Sequence, residues 1–298
     1  MKKKKNTWKN IKKYRFIYII LLPILLYFIV FSYTPLIMGI VQSFNDVKLS
    51  GNSVFVGLEN YQEVLNDSKF IQSIWNALII GLGKWILIFI GGVAIAIGIN
   101  ELTTKWQKTT VQTSTYIPYL LSWTIVGGIW IFILSPNGLL NGILGFFGQE
   151  SPILFISNQK YGRWIMILTG VWKDLGYYAV LFLTSIVATN PNIFEAAQID
   201  GAPRMKQIRR LVLPEMVSTM KTVLVLSIMG LFTNFDQIFV MANPAVIEKT
   251  RSPILYIYEN GIQAFDVGIA TAASVIVLLL TGVVTLGLRY ILYRRDES

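Results

Sequence analysis

The chain has 298 residues, 54% of them hydrophobic and only 14% charged, and carries a net charge of +10. With several apolar runs near about 20 residues, this balance describes a polytopic membrane protein rather than a soluble globule, long enough for about six spans and their loops. It contains no Cys and no His, which removes disulfides, thiolate or imidazole metal sites and the usual acid–base chemistry, so catalysis is not expected. The basic residues are distributed by membrane side and not gathered in a soluble module, so nucleic acid is not an expected partner.

Residues 1–15 form a basic tail with Lys2, Lys3, Lys4, Lys5, Lys9, Lys12, Lys13 and Arg15 and no acidic residue; such a tail is expected to stay cytoplasmic. The first span follows at about 16–41. Its length, Pro23 and Pro35, and the end Phe31-Ser32-Tyr33-Thr34 argue against a cleaved signal peptide. Residues 42–73 are slightly acidic, with Asp46, Glu59, Glu63 and Asp67 against Lys48 and Lys69, and read as external. The second span, about 74–99, holds Gly81, Gly83, Gly91, Gly92 and Gly98, small residues that permit close helix packing in lipid. Gly83-Lys84 is followed by Trp85, not Ser or Thr, so it is no phosphate loop and no nucleotide site is expected.

An internal loop at 100–112 leads to a third span at about 113–134. Residues 135–161, broken by Pro136, Gly138, Gly142, Gly145, Gly148 and Pro152, suit an external connection, because irregular backbone cannot face lipid. The fourth span, about 163–189, has a polar girdle of Trp172, Lys173, Asp174, Tyr177 and Tyr178. A charged segment at 190–214 precedes a fifth span at about 215–241, an external loop, a sixth span at about 267–293 and a short basic tail at 294–298. Lys and Arg concentrate on the tails and on the 100–112 and 190–214 loops, which gives six spans with both termini cytoplasmic.

The 190–214 segment reads as two short helices. Asn190 is a suitable N-cap with Pro191 at the first helical position, and the helix runs to about Asp200. Gly201 accepts a left-handed bend cheaply. Ala202-Pro203 then starts a second helix carrying Arg204, Lys206, Arg209 and Arg210, which Pro214 is expected to close. The first helix, about 13 Å long, is too short to be stable alone in water. It should fold against something, and Ala196 and Ala197 let a partner come close.

Glu195-Ala196-Ala197, then Gly201, then Leu211-Val212-Leu213-Pro214 resembles the EAA loop of the membrane subunits of ATP-binding-cassette importers. The form with Asp200-Gly201-Ala202 is similar to the carbohydrate-uptake, maltose and multiple-sugar branch, which has Ile where this chain has Leu211. Residues 55–61, 234–241 and 264–270 also resemble that branch. The resemblance implies a type I importer transmembrane domain in the bacterial cytoplasmic membrane, surrounded by lipid. It implies a second related permease, forming a heterodimer, two ATPase subunits that hold ATP and Mg, and an extracytoplasmic solute-binding protein that delivers a sugar. No cofactor is implied on this chain. Glu195, Ala196, Ala197, Asp200, Gly201, Ala202, Leu213 and Pro214 would form the coupling loop that sits in a groove of the ATPase.

The substrate pathway is read from polar groups at membrane depth, where a charge is expensive, and from aromatic rings that suit sugar faces. The candidates are Trp172, Asp174, Tyr177, Tyr178, Asn234 and Asp236. Each has a structural alternative: Lys173 and Asp174 pair with one another or with a neighbouring subunit, aromatic rings anchor span ends, and Asp236 caps an unwound turn. Asn234 and Asp236 reach an external-side cavity only if the fifth span is irregular there. An ATP-independent secondary transporter would show internal pseudo-repeats, which are not evident. An intramembrane enzyme would need convergent acid, base or metal groups. A permease for an amino acid, peptide or phosphate is the nearer alternative to sugar.

Overall fold

The computed structural model describes residues 13–47 and 53–294. Most of the basic N-terminal tail, Lys48 and Arg295 lie outside the described residues. The chain forms a helical bundle in which five helices are long and apolar enough to cross a membrane, or six if a bent pair counts as one span. α1 (Arg15–Gln42) is followed by a small antiparallel ribbon, β1 (Asn45–Val47) paired with β2 (Ser53–Phe55) in the register Asn45 to Phe55. α2 (Glu59–Asn66) and α3 (Ser68–Glu101) follow. The second span thus begins earlier than expected: Asp67 caps it, its carboxylate accepting from the Lys69 amide at 2.8 Å.

The stretch expected to form the third span is not a single rod. α4 (Lys105–Leu120) and α5 (Trp123–Ile133) meet at 99°. Pro118 lies inside the last turn of α4 and cannot donate to the helix ladder, while Ser122 caps α5 by accepting from the Ile125 amide at 3.4 Å. The internal loop expected at 100–112 shrinks to residues 102–104. Within the 135–161 connection, α6 (Leu139–Phe146) forms a short helix, and α7 (Gln159–Val187) is the fourth span. After α8 (Pro191–Ile199), α9 (Arg204–Met229) runs without interruption into the membrane region.

Pro214 therefore does not close a helix, contrary to the sequence expectation. The preceding turn, Ile208–Val212, is a π turn in which the Leu213 amide donates to the Ile208 carbonyl. Widening the helix by one residue accommodates the proline ring and its missing N–H. α1 repeats the device: a π turn at Ile29–Tyr33, with Thr34 donating to the Ile29 carbonyl, immediately precedes Pro35.

The expected fifth span is shifted rather than shortened: α9 starts before 215 and ends at Met229, and residues 230–235 are unwound before α10 (Asp236–Met241). α11 (Ile247–Thr250) and α12 (Pro253–Tyr258) lead to the sixth span, α13 (Val267–Tyr293), whose bounds match the sequence reading.

Three apolar clusters run along the bundle. One, around Phe70, Phe232, Tyr256 and Ala273, lies nearest the ribbon. Another gathers Ile80, Met166, Ile238 and Leu255, and the third gathers Ala96, Phe182, Val212 and Met216 near the 190–214 loop. Glycines of α3 admit side chains of neighbouring segments: a Cβ on Gly81 would lie 2.8 Å from Leu231 Cγ, and one on Gly91 would lie 2.9 Å from Leu175 Cδ1. Gly98 has nothing within 4 Å. α1 buries none of its residues against the rest of the chain.

The 55–61 stretch is architectural. The Asn60 amide, buried at 7% exposure, donates at 3.0 Å to both the Ser43 and the Asn45 carbonyls, joining α2 to the end of α1 and to the ribbon. Tyr61 and Ser43 share a hydroxyl hydrogen bond of 2.6 Å. Nearby, the Tyr256 hydroxyl donates to Asp67 at 2.8 Å, and burial pushes its ionisation above the ordinary tyrosine range, which keeps it a donor.

Candidate functional site

Two polar regions stand out, one at the 190–214 loop and one inside the bundle. In the loop, the Asn190 side chain accepts from the Asn192 amide at 3.0 Å and starts α8. The helix closes with Ala202 N–H donating to the Ala197 carbonyl and Gly201 N–H to the Gln198 carbonyl, both at 3.0 Å, with Gly201 at φ +68°. This is a Schellman motif, which needs the left-handed residue that glycine supplies. Glu195, Ala196, Asp200 and Gly201 are exposed, Ala197 and Ala202 are half-buried, and Ile199 and Met205 are 87% and 60% exposed. Leu213 packs inward with Phe194 against the Phe182–Met216 cluster, and Pro214 is exposed.

What holds this loop to the bundle was not evident in the sequence. Arg204 donates to Glu101 through Nε at 2.7 Å and Nη2 at 2.5 Å, and through Nη1 to the Gln207 side chain at 2.6 Å. Gln207, itself buried, donates to the Ala202 carbonyl at 2.8 Å. The first residue of α9 is thereby clamped to the last residue of α3. A bidentate, half-exposed pair of this kind contributes roughly 1 kcal/mol. Arg204→Ala should therefore leave the protein inserted and folded but loosen the loop, seen as faster amide hydrogen exchange over 195–207. Unchanged exchange there would show that the clamp does not hold the loop.

Inside the bundle a cavity of about 210 Å³ is lined by Lys84, Trp85, Asp174, Tyr178, Ser227 and Asn234 among others. Lys84 Nζ lies 2.6 Å from Asp174 Oδ2. The sequence offered Lys173 as the partner of Asp174, and the structure corrects this: Lys173 points the other way, donating to the Tyr119 carbonyl at 2.7 Å and lying over the Tyr119 and Trp123 rings. It places a cation on the carbonyl end of α4 beside the bend, where the helix dipole favours it. Ser227 donates to the Tyr178 hydroxyl at 3.3 Å. The Asn234 amide donates to Gln237 at 3.0 Å, and Gln237 donates to the Met166 carbonyl and the Thr169 hydroxyl.

The six pathway candidates therefore separate. Asp174, Tyr178 and Asn234 meet at the cavity, and Asn234 does so because the chain is unwound there. Tyr177 stacks on Tyr119 at 4.4 Å, and Trp172 packs edge-on against Trp130. Asp236 stands exposed in the first turn of α10 and does not line the cavity. Lys84, Trp85 and Ser227 were missed by the sequence reading. A lysine within the otherwise apolar stretch 77–99 of a 34-residue helix is itself a functional signal, but it was set aside once the phosphate loop had been excluded.

Residues 88–296 match the family described as binding-protein-dependent transport system inner membrane component. The chain belongs to this family. Among binding-protein-dependent relatives, the chain is 31% identical over 291 residues to the arabinooligosaccharides transport system permease protein AraP of Bacillus subtilis (strain 168), covering 95% of this chain and 91% of that one. It is 29% identical over 279 residues to the polygalacturonan/rhamnogalacturonan transport system permease protein YteP of the same organism, covering 92% and 86%. A solved bacterial ABC transporter involved in the import of the acidic polysaccharide alginate contains a chain that superposes with a TM-score of 0.89 at 29% identity, covering 97% of this chain and 99% of that one. This inner membrane component thus matches its relatives over nearly its whole length, including the 190–214 loop.

Proposed function

We propose that the chain forms one half of the translocation pathway of an ATP-binding-cassette importer for a sugar or oligosaccharide delivered by an external solute-binding protein. The observation that carries this is the near full-length likeness to permeases of arabinooligosaccharide and polygalacturonan/rhamnogalacturonan transport systems and to a chain of an alginate importer. In this reading the chain lies in the bacterial cytoplasmic membrane with both termini and the 190–214 loop on the cytoplasmic side. It pairs with a second related permease and with two ATPase subunits, which bind ATP and Mg. The unburied α1 offers an apolar surface to lipid and to that second permease. The exposed apolar pair Ile199 and Met205, beside Glu195, suits docking to the ATPase. The cavity, smaller than the roughly 300–1,000 Å³ typical of small-molecule sites, suits a subunit that contributes part of a shared pathway. Asp174, Tyr178 and Asn234 are the residues assigned to it.

The complex reconstituted in liposomes with its ATPase, partner permease and binding protein should take up sugar only with ATP inside. Uptake that persists without the ATPase would instead mark a secondary transporter. Sidedness can be read directly, because the chain has no native Cys. A single Ile199→Cys variant should react with an impermeant maleimide only after the cytoplasmic face is opened, and labelling of intact cells would invert the proposed topology.

A further inference from the structure

We propose that the Lys84–Asp174 pair is a charge-neutral, hydroxyl-binding subsite that accepts an uncharged sugar and disfavours a uronate; this rests on the sugar-import reading above. Lys84 lies at the middle of α3 and Asp174 at the middle of α7, each about a fifth exposed, with 2.6 Å between Nζ and Oδ2. Gly170, one turn before Asp174, makes room for the lysine stem: a Cβ there would lie 3.0 Å from Lys84 Cδ. Both groups line the cavity and are its charged residues. An ammonium has three N–H donors and a carboxylate about four acceptor positions, so one mutual contact leaves both with unused capacity. A vicinal diol presents the complementary donor and acceptor. Further polar groups surround the pair, namely the Tyr178 and Ser227 hydroxyls and the Asn234 amide. Trp85 lines the same cavity, and its buried indole N–H has no partner among the described residues.

The charge sum decides the substrate class. Asp174 neutralises Lys84, so a uronate carboxylate gains no net cation and meets Asp174 as a like charge in a poorly screened interior. A neutral sugar meets neither penalty. An ion pair kept only for packing behaves differently, because apolar residues of similar volume replace such a pair with little loss.

The test is ATP-driven uptake by the complete reconstituted complex, with a neutral arabino-oligosaccharide and a galacturonate oligosaccharide as the probes. The wild type should favour the neutral probe. Asp174→Asn should lower neutral uptake roughly tenfold, the loss of one charge-assisted hydrogen bond, and raise the ratio of uronate to neutral uptake. The double variant Lys84→Met with Asp174→Leu should lose neutral uptake in assembled complex, and the exchange Lys84→Asp with Asp174→Lys should recover part of it. Wild-type preference for the uronate, or full neutral uptake by the apolar double variant, would overturn the subsite alone. Absence of any ATP-driven uptake by the wild-type complex would overturn the import reading together with it.

Discussion

Reversing the charge of Glu195 with lysine should reduce uptake by about a hundredfold or more while the chain remains inserted and folded. Glu195 is exposed, and among the described residues its helix has no buried side chain and Glu195 has no ion-pair partner, so the substitution costs this chain almost nothing by itself. In the proposed importer its effect is expected at docking to the ATPase, where losing one partner of an interfacial charge pair costs roughly 2–5 kcal/mol. The comparison is between substrate uptake and copurification of the ATPase, both measured on Glu195→Lys and on the neighbouring exposed variant Gln198→Lys. Full uptake with normal copurification in Glu195→Lys would remove this residue from the coupling surface.

The second large effect is expected in folding. A Cβ on Gly176 would collide with the backbone of Thr115 and Tyr116, because α7 crosses α4 backbone to backbone there. Overpacking a flexible side chain typically costs 1–3 kcal/mol, occasionally more. Here no rotamer can relieve the clash, so Gly176→Leu should cost roughly 3 kcal/mol or more and force α4 away from α7. The Lys173 contact to the Tyr119 carbonyl, one turn away, would be lost with it. Yield of monodisperse protein after detergent extraction should collapse for Gly176→Leu and stay normal for Gly98→Ala, which has open space around it. Equal yields would mean that the two helices can separate without penalty.

Much of the fold was legible because lipid imposes a simple rule on sequence: a span must be long, apolar and internally hydrogen-bonded. The helix expected at about 267–293 coincides with α13, because Asp266 both ends a polar loop and caps the helix, accepting from the Ile269 amide at 3.0 Å. The first helix of the 190–214 loop was equally clear, since Asn190, Pro191 and Gly201 are local signals that need no tertiary partner. The motif at 195–214 carried the resemblance to the family, which the match over residues 88–296 then established.

Only the tertiary structure decided how spans break and which polar groups meet. Hydropathy averages over a window, so it cannot distinguish a straight third span from two helices at 99°, nor see that the fifth unwinds after Met229. Pro214 looked like a terminator because proline's local effect is to end helices; a π turn upstream let the helix continue into the bundle. Adjacent Lys173 and Asp174 looked like a pair, yet neighbouring positions on a helix point to different faces. One went to the carbonyl end of α4, and the other to a lysine 90 residues earlier in the chain. That pairing depends on α3 and α7 packing side by side through Gly83, Gly91 and Gly170, a long-range arrangement that no local pattern encodes.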